Sequence, residues 1–117
     1  MTDRELIEQK LLRIAALKDG WAPNERAVSE QALSYFYKVF NNIDDKYMHE
    51  VEPVPHNGGL HLEWDNGPMY YSAAIDHDGT LWLFQLHMDA ENDTEQEIKD
   101  PEPDDLISFI MNYGVSK

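Results

Sequence analysis

Two glycine-bearing turns set between three strand-like runs constrain this chain more than any other feature. Residues 60–65 alternate apolar and polar side chains, and Asn66-Gly67 follows, the dipeptide most favoured in two-residue hairpin turns. Met69–Ile75 is the second run. Asp76-His77-Asp78-Gly79-Thr80 then reads as a three-residue turn with Gly79 left-handed, and 81–88 is the third run. Three antiparallel strands joined as a meander follow directly, with 65 pairing 68 and 76 pairing 80.

Because strand side chains alternate, this register sorts the residues into two faces. One face collects Leu60, Leu62, Trp64, Met69, Tyr71, Ala73, Ile75, Leu81, Leu83, Gln85 and His87, and is the expected core. The other collects His61, Glu63, Tyr70, Ser72, Ala74, Trp82, Phe84, Leu86 and Met88. That second face is polar on its first strand and aromatic and aliphatic on its third. Burial is the commoner use of tryptophan, so cover by a C-terminal helix is the first expectation for it. A partner-binding surface is the alternative.

The rest of the chain supplies helices. Residues 3–18 carry Ile7, Leu11, Ile14 and Ala15 on one face, Thr2 or Asp3 can cap them, and Gly20 stops them. Asn24 is a candidate N-cap for a second helix over 25–41, striped by Val28, Ala32, Tyr35, Phe36, Val39 and Phe40. The short link between the two predicts a helical hairpin, with Trp21 plugging its end. Residues 41–59 are rich in Asn, Asp, Pro and Gly, with 51–54 a candidate edge strand. A last helix over 104–113 should bury Leu106, Ile107, Ile110 and Met111. The expected fold is therefore α+β in one domain spanning 1–117. It has an N-terminal helical hairpin, a three- to four-stranded antiparallel meander and a C-terminal helix.

Charge is distributed unevenly over this frame. Residues 48–117 hold 15 Asp/Glu against Lys99 and Lys117, a net of −13, whereas residues 1–47 hold eight acids and seven bases, a net of −1. The densest acidic run lies between Asp89 and Asp105, which reads as a solvated loop over 89–103. A field of this sign disfavours nucleic acid and anionic membrane as partners and steers basic proteins. There is no cysteine, hence no disulfide and no thiolate chemistry, which fits a cytoplasmic setting. No apolar run is long enough to span a bilayer and no leader pattern opens the chain.

Motifs for chemistry are sparse. None of His49, His56, His61, His77 and His87 pairs at the spacing of a helical zinc site. His56, His61 and Glu63 could converge on a metal only by chance of folding. Residues 89–97 carry acids at every second position, but a calcium loop needs Gly where Thr94 stands and Glu where Asp100 stands. No nucleophile elbow or phosphate loop is present. No cofactor is expected.

Leu17-Lys18-Asp19-Gly20-Trp21, a proline two residues on, and Gly58-Gly59-Leu60-His61-Leu62-Glu63-Trp64 together resemble a group of small uncharacterised bacterial and phage-borne proteins. That group pairs a Leu-x-x-Gly-Trp helix end with a Gly-Gly-Ile-x-Leu-Glu-Trp strand. Members often continue Trp-Asp-Gly where this chain has Trp21-Ala22-Pro23. The resemblance implies the helix-helix-sheet order and a microbial, intracellular setting, and it brings no activity with it.

The expected function is a non-catalytic, acidic protein-binding module of the inhibitor, immunity or antitoxin kind. Its candidate binding residues are His61, Glu63, Tyr70, Trp82 and Phe84, bordered by Asp89, Glu91, Asp93 and Glu95. Its partner is a protein with a basic surface, or a second copy docked through the sheet. A small-ligand or cation-binding domain, with Tyr70, Trp82, His61 and Glu63 lining one pocket, is the alternative. A low-turnover enzyme ranks last, because no nucleophile can be named.

Overall fold

A computed structural model describes residues 2–90 and 92–115. The chain is α+β, with helices at both ends of an antiparallel five-stranded sheet. Its elements run α1 (Asp3–Ala15), α2 (Glu30–Asn42), a 3₁₀ helix (Asp45–Glu50), β1 (Val54–His56), β2 (Gly59–Asn66), β3 (Met69–Ile75), β4 (Leu81–His87), β5 (Asn92–Ile98) and α3 (Pro103–Tyr113). The spatial strand order is the chain order, β1 to β5, so every connection is a hairpin.

The helices form where their caps and stripes dictate. Thr2 and Glu5 close a reciprocal capping box on α1, and Ile7, Leu11 and Ile14 point inward. The second helix starts five residues later than its periodicity suggests. Asn24 does not cap it but sits left-handed (φ 63°), and the Ser29 side chain accepts from the Ala32 amide instead. Residues 16–29 are therefore a long link, tied down by its own polar groups. Asp19 accepts from the Ala27 amide, and the Ser29 amide donates to the Gly58 carbonyl at 3.0 Å. Trp21 is no plug. It is 37% exposed, and its indole N–H donates to the Arg26 carbonyl at 3.0 Å.

Nor do α1 and α2 make a closely paired hairpin. α1 lies against the 3₁₀ helix, whereas α2 packs beside α3. Arg4 fastens α1 from below, donating to the Phe40 and Ile43 carbonyls and pairing with Asp45 at 2.7 Å.

The two faces of the sheet fall as the alternation requires. Leu60, Leu62, Trp64, Tyr71, Ala73, Ile75, Leu81 and Leu83 are buried under the helices. The β3–β4 register is the expected one, Ile75 opposite Leu81. The β2–β3 register is slid by two residues, with Asn66 opposite Met69 and Asp65 opposite Tyr70 rather than Pro68. Gly67 and Pro68 form the turn, because proline has no amide to give to a ladder and its fixed φ suits a turn. A two-residue slip leaves both faces unchanged.

α3 covers the core face and not the other. Phe109 meets Trp64 and Tyr71 edge-on at 5.6 and 5.9 Å, and the Tyr113 carbonyl accepts from the Trp64 indole at 3.1 Å. Phe109 takes the inward place expected of Met111, which is 45% exposed. The edge strand expected at 51–54 begins only at Val54, since Val51 and Pro53 are drawn into the core.

The largest departure is in the acidic segment. Asn92–Ile98 is not loop but a seven-residue strand, paired throughout with β4 from His87–Asn92 to Leu81–Ile98. Asn-Asp-Thr-Glu-Gln-Glu has poor intrinsic strand preference. What overrides it is β4, whose outer backbone edge would otherwise be unpaired. Among the described residues, none of Lys or Arg lies in a strand.

Candidate functional site

The uncovered sheet face is the candidate site. Cross-strand register sets its rows. Val54, His61, Ala74, Trp82 and Glu97 make one row. Glu63, Ser72, Phe84 and Glu95 make the next. Asp65, Tyr70, Leu86 and Asp93 make the third. The centre is thus aromatic and aliphatic, with carboxylates on both flanks.

The aromatic side chains here are held by neighbours. The Trp82 indole N–H donates to the Asp76 carboxylate at 2.8 Å. The Tyr70 hydroxyl donates to Glu63 at 2.6 Å, and its ring meets Phe84 edge-on at 6.1 Å. Burial pushes the Tyr70 hydroxyl up to about 12, and the hydrogen bond to the Glu63 carboxylate adds to the effect. Trp82, Phe84, Tyr70 and Leu86 remain half-buried, and among the described residues no helix lies over them. This reverses the expectation that the last helix seals the face.

The candidate residues do not line a single pocket. Trp82 and Phe84, with Ser72, Ala74, Asp76 and Glu95, border a shallow hollow of about 450 Å³. Ser72 and Ala74 are its small lining residues. His61 belongs to a second, wider groove of about 780 Å³ toward the β1–β2 turn. Glu63 and Tyr70 are spent on each other. Asp93 and Glu95 are on β5 and exposed, Asp89 lies in the turn before it, and Glu91 lies outside the described residues.

Two contributors were hidden in the sequence. Asp76 reads as turn punctuation, yet its carboxylate fixes Trp82. Glu97 reads as loop, yet stands opposite Trp82. The wider groove was also missed. It brings Arg26, His56, His61 and His77 to one side of the β1–β2 end, and only the folded link 16–29 places Arg26 there. Among the described residues, no three His, Asp or Glu side chains gather closely enough to hold a metal ion.

Electrostatics divide the molecule in two. Arg4 and Lys10 pair with Asp45 and Glu52 away from this face. Among the described residues, no Lys or Arg forms an ion pair with Glu63, Asp65, Asp76, Asp93, Glu95 or Glu97. No described helix is long and apolar enough to cross a membrane. Comparison of the chain with protein-family models, curated proteins and solved structures gives no match.

Proposed function

We propose that this chain is a non-catalytic, acidic protein-binding module that docks a basic protein on its open sheet face, in the manner of an inhibitor, immunity protein or antitoxin. One observation carries the reading. The half-buried aromatics Trp82, Phe84 and Tyr70 are flanked by six carboxylates, and among the described residues no strand contributes a lysine or arginine. An apolar centre within a charged rim is the usual build of a protein interface, and a single-signed rim accelerates encounter with the opposite sign. A second copy is a poor occupant, because face-to-face docking would bring like charge together. The setting is bacterial or phage-borne and cytoplasmic, which the absence of cysteine and the resemblance to small microbial proteins support.

The test is a binding screen of purified basic proteins, nucleases foremost, at low and high salt. Binding should weaken steeply with salt and be lost in Trp82→Ala. Association that ignores both salt and Trp82 would sink the reading.

A second reading has its own observation. The groove beside His56, His61 and His77 is concave, as small-molecule sites are, and it gathers several polar side chains that could orient a ligand. A thermal-shift screen with nucleotides, sugars and divalent cations tests it. A ligand present at 100 times its dissociation constant adds about 2.7 kcal/mol, and a flat screen removes the reading.

A further inference from the structure

Building on the docking reading above, we infer that the outer edge of β5 accepts an extended segment of the partner as a sixth strand, one carrying lysine or arginine at every second position. The sheet has two edges. β1 offers three residues, the middle one Pro55, which has no amide to share. β5 offers seven residues without proline, and among the described residues no strand lies beyond it.

β5 is exposed on both faces along almost its whole length, and only Ile98 is partly buried. Its side chains therefore contribute little to the core. What the strand does is present a row of backbone groups beside a column of acids. Asp93, Glu95 and Glu97 stand on the open face, while Thr94, Gln96 and Ile98 turn to the other. An added strand would set its open-face side chains against the three carboxylates, so cations there gain cross-strand pairs. Its other side chains would meet a polar, β-compatible surface. The same column rejects a second copy of this edge. Antiparallel self-pairing about Glu95 places Asp93 against Glu97 and Glu95 against itself.

The experiment uses the full chain and a blocked heptapeptide in which three lysines alternate with threonine. Two isomers carry N-methyl groups, one on the three lysine nitrogens and one on three threonine nitrogens. In a strand, these two sets point to opposite edges. Strand addition predicts that one isomer binds like the parent and the other at least about tenfold more weakly. Amide exchange should slow along 92–98 in the complex. Equal binding by both isomers, with Trp82 fluorescence changing and β5 amides unprotected, overturns the inference and leaves face docking intact. No binding by the parent peptide at low salt also overturns it. The docking reading itself fails separately, if the basic-protein screen shows no dependence on salt or Trp82.

Discussion

The Asp76 carboxylate accepts the Trp82 indole N–H at 2.8 Å, joining the residue after β3 to the second residue of β4. A tryptophan left on an open sheet would sample several rotamers. Here the ring is tied toward the β3–β4 turn, beside Ala74 across the ladder. A side chain fixed before its partner arrives loses less entropy on binding.

Asp76→Asn keeps an acceptor and removes the charge, whereas Asp76→Ala frees the ring. Both should cost little stability, about 1 kcal/mol or less, because the bond is exposed. Both should weaken a basic partner, and Trp82→Ala more so, by about 2 kcal/mol or more if Trp82 is the central anchor. Urea denaturation gives the first quantity and partner titration the second. The Trp82 indole N–H, separable by NMR from those of Trp21 and Trp64, should exchange faster in Asp76→Ala and stay near wild type in Asp76→Asn.

The two glycines opening β2 are needed for different reasons. Gly58 adopts φ 82° with the His77 ring against it. Gly59 lies outside the left-handed region, but a Cβ there would run into the Ile75 carbonyl oxygen and the Asp76 backbone. Gly67, in the β2–β3 turn, has φ 63° and open space around it. Gly59→Ala should therefore force the β2–β3 backbones apart and cost about 1–3 kcal/mol or more. Gly67→Ala meets only backbone strain, about 1 kcal/mol. Denaturation midpoints of the two variants should keep that order.

Sequence pattern sufficed where one physical rule acted alone. Alternation placed Leu62, Trp64, Tyr71 and Leu83 inward, and it survived the two-residue slip at Pro68 because the period is two. It failed where a neighbour decided the outcome. β5 is a strand because β4 has an edge to pair, and nothing local in Asn92–Ile98 says so. The stripe expected from Val28 onward is helical only from Glu30, because Ser29 captures the cap and the preceding residues serve the link. At the site, alternation brought Trp82, Phe84, Tyr70, Glu63 and His61 to one face. It could not show that α3 packs on the opposite face, or that Asp76 would reach back to Trp82.

Tyr70 supplies a pH signature. Its hydroxyl is raised from 10.0 to about 12, first by burial and then by the Glu63 carboxylate. The unfolded chain releases this proton near its ordinary value, and the folded chain holds it longer. The stability the group confers is complete below pH 10 and is lost as pH rises through about 12. Tyr35 and Tyr71 are raised as well, so they act in the same direction. The contribution of Tyr70 is the difference between wild type and Tyr70→Phe. The variant should show a shallower loss of stability in this window and lack the late-titrating tyrosinate in ultraviolet absorbance. An unchanged titration curve would place the raised hydroxyl elsewhere.

The acids of β5 should also keep the molecule from pairing with itself. A seven-residue edge strand without proline is a template for other edges, and charge is one of the few devices that blunts it. Asp93, Glu95 and Glu97 form an unbroken column, and replacing all three with threonine removes the repulsion while raising strand preference. The strands themselves should remain paired with β4, so circular dichroism should change little. Self-association should appear instead, read by light scattering or sedimentation at micromolar concentration. Replacing Asp3, Glu8 and Glu30, exposed acids of α1 and α2, with their amides removes three charges without touching this column. If that variant associates as strongly as the β5 variant, net charge and not the edge keeps the chain apart. If only the β5 variant associates, the column is the device that guards the edge.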